Sequence, residues 1–438
     1  MEQTVTIERM AYSADAVAHL ESGKTVFVAG AAPGDVARIE IVEEGASFAR
    51  GRIVELVEAS SARAAGKNGA TTQASSTCPW RHLDYAAQLQ AKRDNVVGQL
   101  THSAGFSDDR AQSLVGDCLA SKREWNYRNK LELACGVDAQ GRFDVGVTDE
   151  QTGALVPIDM SDLAYKQVAK APKALRGAIR FMSGNTDLGI FRIGVRSSLA
   201  TGETEVALWT RPGPFPRALA AKTIAGAVKT TSIVRVLADP GRARKVKGLE
   251  VLDGRGFWRE RLADCSFSMA APSFFQVNTA QAARLVACAQ DFIGDIDGAR
   301  VADLYAGGGT FSIPLAKAGA QVVAIEAASS SVRDLRHNAG ANKVDVDVVG
   351  GDAARELAGL GHLDALVVDP PRAGLAKTVP ADIARAHPSR VVYVSCNPST
   401  WARDVVRFEE LGYKLESAQP VDMFPQTYHV EIVSVFAH

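Results

Sequence analysis

From about residue 263 onward, short apolar runs recur at regular intervals, with helical stretches between the earlier ones. That alternation constrains the fold more than any other feature of the chain. Strands are expected at 301–305, 321–325, 344–349, 365–369, 391–395 and 432–436, and helices at 310–318 and 330–338. Strands separated by helices at this spacing imply an α/β domain built on a parallel, doubly wound sheet. Such a sheet binds ligands beyond the carboxyl ends of its strands.

The chain has 438 residues, too many for a single core, so two or three domains are expected. The expected division is 1–62, 63–262 and 263–438. Hydrophobic residues make up 46% and charged residues 23%, as in ordinary globular proteins. No apolar run approaches the roughly 20 residues that a membrane helix needs. The first residues are acidic and alternating, unlike a secretion signal. A monomer in the cytoplasm, with no membrane partner, is expected.

Residues 1 to about 60 read as strands at 4–8, 25–28, 36–41 and 51–56, with Pro33-Gly34-Asp35 as a turn. Several short strands with turn signals imply a small closed barrel. A stretch rich in Ala, Ser, Gly and Thr over 60–76 reads as a linker, and a helix is expected near 86–100. The middle, about 125–262, mixes strand-like runs with loops. The net charge of −1 argues against indiscriminate nucleic-acid binding, but its distribution is uneven. From Tyr165 to Arg261 there are 19 lysines and arginines against 7 acids, which leaves the flanks acidic. Two readings stay open: a polyanion footprint, or a solvated surface with uneven charge.

The run Val301-Ala-Asp-Leu-Tyr-Ala-Gly-Gly-Gly-Thr310 ends one strand and opens a helix. Its glycines let the backbone approach a ligand where a Cβ would clash. The spacing Gly307-x-Gly309 is too short for a dinucleotide fingerprint, and no Lys-Ser/Thr follows as in a phosphate-binding loop. Glu326 closes the next strand, where an acid grips ribose hydroxyls. Asp352, after the third strand, suits an adenine amino group or, equally, a helix N-cap. Asp303 is expected to orient the loop.

Six cysteines stand at 78, 118, 135, 265, 288 and 396, and no two form a CxxC pair. Most read as small buried hydrophobes. Cys396 differs: it ends the apolar run 391–395 at the rim of the sheet, and Asn397-Pro398 breaks the strand directly after it. Asp369-Pro370-Pro371-Arg372 ends another strand in the same manner, leaving an acid and a guanidinium at the rim.

These motifs resemble those of the RNA uracil-C5 methyltransferases, which form 5-methyluridine in transfer and ribosomal RNA. The matching elements, in family order, are Ser273-Phe-Phe-Gln-Val-Asn278, Asp303-Leu-Tyr-Ala-Gly-Gly-Gly-Thr310, Asp369-Pro-Pro-Arg372, Ser395-Cys-Asn-Pro398 and His429-Val-Glu431. Tyr127-Arg-Asn-Lys130 is a weaker upstream match. The stretch Val26-Phe-Val-Ala-Gly-Ala-Ala-Pro-Gly-Asp-Val36 resembles a TRAM domain, an RNA-binding barrel of the OB type, although its first 60 residues hold 10 acids and 5 bases. The resemblance implies a class I (Rossmann-like) methyltransferase domain, an N-terminal TRAM barrel and a mixed α+β central domain. It implies S-adenosylmethionine as cofactor, held by Gln276, Tyr305, Gly307, Thr310, Glu326, Asp352 and Asp369. Thr310 stands where some relatives carry asparagine. It implies Cys396 as nucleophile and Glu431 as the base that removes a proton from carbon 5. The chemistry needs such a pair, because carbon 5 of uracil attacks a methyl group only after a thiolate has added to carbon 6. Structured RNA is the implied partner, ribosomal RNA ahead of transfer RNA by analogy with the barrel.

Many relatives with such a barrel bind an iron–sulfur cluster through four cysteines. Here only Cys78 matches, Ser75 stands in place of a second, and none lies near 158–161, so no cluster is expected. Trp80, His82 and Tyr85 are expected to pack the junction instead. Two other functions remain: methylation of a base nitrogen, which needs no thiol, and non-catalytic RNA binding on a retained methyltransferase fold.

Overall fold

A computed structural model describes residues 1–65, 77–149, 152–184, 186–241 and 245–438. Most of the expected linker, with Ser75, lies outside the described residues. The chain forms two compact units: residues 1–124, 291–293 and 367–438 in one, and residues 125–290 and 294–366 in the other.

The first unit opens with β1 (Glu2–Thr6), β2 (Arg9–Met10), β3 (Asp15–His19), β4 (Thr25–Ala29), β5 (Val36–Glu44) and β6 (Phe48–Glu58). They form one sheet in the order β1-β5-β6-β4-β3-β2. Ile7 and Glu8 carry the chain from one edge of that sheet to the other: Ile7 donates to Asp35 O and Glu8 to Val17 O, both at 2.9 Å. The sheet thereby curls into a barrel over Val5, Ile7, Val26, Val28, Ala37 and Ile39, all buried. Fully buried Asp35 holds the turn before β5, accepting from Ala32 N at 2.6 Å and from Arg63 Nη2 at 2.7 Å. Helix α1 (Tyr85–His102) is capped by Asp84, whose carboxylate accepts from Ala86 N, and α2 (Asp108–Leu114) by Ser107.

In the second unit, strands β7 (Lys130–Val137), β8 (Phe143–Thr148) and β9 (Leu155–Pro157) precede α3 (Ala171–Ser183). Next come β10 (Ile190–Ser197), β11 (Thr204–Thr210), α4 (Arg217–Ala227), β12 (Ser232–Leu237) and β13 (Gly248–Gly254). The sheet order is β13-β12-β11-β10-β7-β8-β9, with β11 and β12 parallel and the other pairs antiparallel. Leu175 and Ile179 of α3 and Ile224 of α4 cover the sheet residues Leu133, Ile193, Val195 and Leu208. A hairpin, β14 (Trp258–Leu262) and β15 (Cys265–Met269), follows. Its two-residue turn, Ala263 and Asp264, is left-handed at both positions, which matches the twist of the flanking strands. Helix α5 (Thr279–Ile293) starts at Asn278, whose side chain accepts from Gln281 N.

The α/β alternation appears where the sequence places it. It comprises β16 (Arg300–Leu304), α6 (Ser312–Lys317), β17 (Gln321–Glu326), α7 (Ser329–Asn342), β18 (Val346–Gly350), α8 (Ala353–Leu357), β19 (Ala365–Val368), α9 (Val379–Ala386), β20 (Arg390–Ser395), α10 (Pro398–Glu410), β21 (Lys414–Val421) and β22 (Glu431–Ala437). These strands are ordered β18-β17-β16-β19-β20-β22-β21. One expectation needs correcting: the sheet is not wholly parallel. β22 runs antiparallel to both β20 and β21. A nine-residue turn between β21 and β22 leaves no room for the crossover helix that a parallel pair requires.

Candidate active site

In the first unit the site begins with strand register. Ser395, the last residue of β20, pairs with Ile432 of antiparallel β22. Cys396 follows directly on Ser395, and Glu431, the first residue of β22, directly precedes Ile432, so both lie at the same end of the paired strands. The thiol stands at a switch from strand to helix. Asn397 caps α10 by accepting from Ser399 N at 3.1 Å, and Pro398 occupies the first turn. Buried contacts hold α10 down: Trp401 Nε1 donates to Ser434 Oγ at 3.0 Å, and Tyr393 OH donates to Asp404 Oδ2 at 2.9 Å.

The Asp369-Pro-Pro-Arg372 segment is tied to the same place. Asn397 Nδ2 and Thr400 Oγ1 each donate to Arg372 O at 3.2 Å. Burial, then the carboxylates of Glu431 and Asp369, push the Cys396 thiol up to about 12, against the opposing pull of Arg372. Glu431 is 4% exposed, and burial followed by Asp369 lifts its carboxyl far above the usual range, with Arg372 again opposing. The four groups thus form one electrostatic cluster. Low dielectric and like charge both favour the protonated form of the thiol and of the carboxyl.

A fifth residue belongs here that the sequence motifs do not include. Tyr12, between β2 and β3, donates its hydroxyl to Cys396 O at 3.3 Å. Its only sequence signal was an aromatic in a turn between two strands too short or too mixed to read.

In the second unit, Asp303, next to last in β16, is fully buried and accepts a hydrogen bond from Ser312 Oγ of α6. Burial pushes its carboxyl up to about 7, against the hydrogen bonds from Ser312. The bond from Ser312 Oγ ties the strand before the loop Tyr305–Phe311 to the helix after it. Tyr305 sits at φ 64°, a conformation that non-glycine residues rarely hold. Gly307, at φ 57°, faces open space, and its N–H donates to Glu326 Oε2 at 2.8 Å. Glu326 Oε1 accepts from Ala328 N at 2.6 Å. Each oxygen retains a lone pair for a further donor. Thr310 is half-buried in the same loop.

Gly351 N donates to Glu326 O at 3.1 Å, which brings the end of β18 beside Glu326. Asp352 follows and caps α8 by accepting from Ala354 N. A depression of ≈ 520 Å³ lies here, lined by Ala327, Ser329, Arg333, Gly351 and Asp352 among others. A glycine loop opening on space, an acid beside it and an adjoining hollow suit a nucleoside-bearing cofactor. Gln276, 5% exposed, is held through its backbone: its carbonyl accepts from Asn129 Nδ2 at 2.8 Å. Arg196 Nη1 donates to Ala270 O at 2.9 Å in the same segment. The weak upstream match at Tyr127–Lys130 is therefore the clamp on the Ser273–Asn278 motif.

Cys78 and His82 are both buried, and His82 Nε2 lies 3.0 Å from Ala31 O. Among the described residues, no group of three or more His, Cys, Asp or Glu could hold a metal ion. No helix among them is long and apolar enough to cross a membrane.

A strand-end thiol and carboxyl, a glycine loop beneath an acid and an N-terminal barrel together define an RNA methyltransferase. The comparisons with known proteins agree. A family profile described as tRNA (uracil-5-)-methyltransferase matches residues 244–359 and 360–437, and a TRAM-domain profile matches residues 1–54. An uncharacterized RNA methyltransferase of Gloeobacter violaceus is 34% identical over 98% of this chain and 95% of its own. One from Thermosynechococcus vestitus is 32% identical over 99% and 98%. The crystal structure of Pyrococcus abyssi tRNA (uracil-54, C5)-methyltransferase, in complex with S-adenosyl-L-homocysteine, superposes with a TM-score of 0.76 at 27% identity, covering 99% of both chains. The chain belongs to the RNA uracil-C5 methyltransferase family.

Proposed function

We propose that the protein methylates carbon 5 of a uridine in structured RNA through a covalent adduct with Cys396. The observation that carries this reading is the pairing of Ser395 with Ile432, which puts the adjoining Cys396 and Glu431 at one end of two paired strands, close enough for the carboxylate to raise the thiol. The Cys396 thiol gives its proton to water and, as thiolate, bonds through Sγ to carbon 6 of the uracil, and the displaced electron pair makes carbon 5 nucleophilic. S-adenosylmethionine, when bound, supplies the electrophilic methyl group that carbon 5 accepts. Gly307, Tyr305, Thr310, Glu326 and Asp352 would hold it, with Gln276 and Asp369 contacting donor or uracil. Glu431, once its own proton has passed to water, takes the proton from carbon 5 as a carboxylate. The carbon 5–carbon 6 double bond re-forms as the bond from sulfur to carbon 6 breaks. A carboxylate in so dry a place is a strong base, which suits removal of a weakly acidic proton. Arg372 opposes the crowding of negative charge while the thiolate forms.

Ribosomal RNA is the target the barrel suggests. Transfer RNA is a second reading, favoured by the likeness to the Pyrococcus enzyme. That likeness extends over 99% of both chains, so a barrel alone does not single out ribosomal RNA. Turning a uridine out of its stack costs a few kcal/mol, which phosphate contacts by the basic middle of the chain would help offset. The test is to map 5-methyluridine in ribosomal and transfer RNA from cells with and without the protein, and with Cys396→Ala. Loss of 5-methyluridine at one position, not restored by Cys396→Ala, supports the reading. Full restoration by that variant, or a methylated nitrogen as the missing product, overturns it.

A further inference from the structure

The barrel does more than cover one end of the chain. The turn between β2 and β3 is tight: Ala11 N donates to Asp15 O at 3.0 Å, and Asp15 N to Ser13 Oγ at 3.1 Å. Both flanks of Tyr12 are fixed from outside the barrel. Trp80 Nε1 donates to Ser13 O at 2.9 Å, and Asn95 Nδ2 of α1 donates to Ala11 O at 3.4 Å. The side chain so aimed makes two contacts. Its hydroxyl donates to Cys396 O at 3.3 Å, and its ring stands edge-on to Tyr428, with centroids 5.7 Å apart at 84°. Tyr428 in turn packs on His429 at 4.3 Å, two residues before Glu431. One barrel residue therefore touches both segments that carry the reacting groups. Burial, then Cys396 and Glu431, raise the Tyr12 hydroxyl far above the usual tyrosine range, so it remains a donor at every working pH.

We propose that Tyr12 is a positioning residue for methyl transfer. Its hydroxyl fixes the strand-to-helix bend that presents Cys396, and its ring braces the segment leading to Glu431. The barrel is then part of the reaction site, and not only a grip on RNA. This inference rests on the reading of Cys396 as nucleophile, and the experiment separates the two.

Full-length wild type, Tyr12→Phe and Tyr12→Ala are given S-adenosylmethionine. The RNAs are ribosomal and transfer RNA transcripts made with 5-fluorouridine in place of uridine. Fluorine cannot leave carbon 5 as a cation, so the adduct with Cys396 is methylated but cannot be released, and its final yield counts active molecules. Tyr12→Phe is expected to reach wild-type yield at an unchanged melting temperature but to form adduct about tenfold more slowly at saturating RNA, within the cost of a small misplacement. Tyr12→Ala, lacking the ring as well, is expected to be slower still. A wild-type rate at saturating RNA for Tyr12→Phe overturns the proposal, whether or not more RNA is needed to saturate. So does a loss accounted for by lower yield, which would mark a purely structural role. Should the wild type form no adduct on Cys396, the nucleophile itself is misassigned and the positioning role falls with it.

Discussion

A half-buried thiol, Cys396, and a buried carboxyl, Glu431, belong to one cluster, in which burial and then the Glu431 carboxylate raise the thiol, while burial and then Asp369 raise Glu431. With the thiol pushed up to about 12, alkylation of Cys396 by iodoacetamide in the RNA-free protein should still be accelerating at pH 10. A plateau near pH 8.5, where a free cysteine titrates, would contradict the burial argument. A protonated thiol also resists oxidation between turnovers. Glu431 gives a second expectation, in stability. Its folded carboxyl is raised far above its unfolded value, so between the two the folded chain holds the extra proton. Its stabilising contribution is complete below the unfolded value near pH 4.3 and is lost as pH rises towards the folded one. Glu431→Gln keeps the shape without the charge. The variant should melt with the wild type near pH 4.5 and increasingly above it at higher pH, with ~1 kcal/mol moving the midpoint by about 2–4 °C. Melting curves at several pH values check this, and a constant gap between the two proteins would refute it. Activity and stability are opposed at this residue.

At the scale of elements, the segment from β21 to β22 that delivers Glu431 hangs on a fully buried ion pair. Lys92 of α1 and Asp422 are both without exposure, and Tyr85 OH donates to Asp422 Oδ2 at 2.8 Å. Lys92 Nζ also donates to Phe424 O at 3.0 Å. Removing one partner strands a buried charge, so Lys92→Met should cost about 3–5 kcal/mol in chemical denaturation. Lys92→Met with Asp422→Leu should cost clearly less than the two single changes added together. Simple additivity would show that the pair is not coupled. Neither this pair nor β21 was legible in the sequence, and the reason is physical. β16, β17, β19 and β20 are apolar runs because both their faces are buried, whereas β21 reads Lys-Leu-Glu-Ser-Ala-Gln-Pro-Val and alternates with polar residues. The same limit hid β3 and the seven-stranded sheet of the second unit, whose strands are mixed in direction and composition. The cysteine itself was legible, because an apolar strand ending in Cys-Asn-Pro can only place it at a rim. Its neighbour Glu431 was legible through family likeness alone, since strand register is not written in either strand. The Tyr12 contact joins residues 384 apart, and no local pattern carries such a pairing.

Over the whole molecule the charge is near balance, and the basic excess between Tyr165 and Arg261 is smaller than its count implies. Arg217 and Arg235 share Glu250, Arg255 and Arg259 share Glu203, Arg211 meets Asp187, and Arg176 bridges Asp144 and Asp159. Of the cations in this stretch left exposed and without an ion pair among the described residues, Lys166, Lys170 and Lys173 stand at the start of α3, while Lys222, Lys229, Lys245 and Arg261 lie elsewhere. Lys170 is the N-cap residue and Lys173 lies in the first turn, at the helix end where the dipole disfavours positive charge. Helix stability does not explain them, and an RNA backbone contact would. Replacing all three with glutamine should leave the melting temperature within experimental scatter or raise it slightly, as surface changes of this kind alter stability by about 0.5 kcal/mol or less. RNA affinity should fall by a similar factor for every sequence tested. The slope of log affinity against log salt should flatten by about 0.7–0.9 for each phosphate no longer neutralised, roughly two to three in all. Filter binding of unmodified ribosomal and transfer RNA transcripts across a salt series measures both quantities. An unchanged slope would mean that RNA does not touch this helix end, and that the uneven charge is only surface.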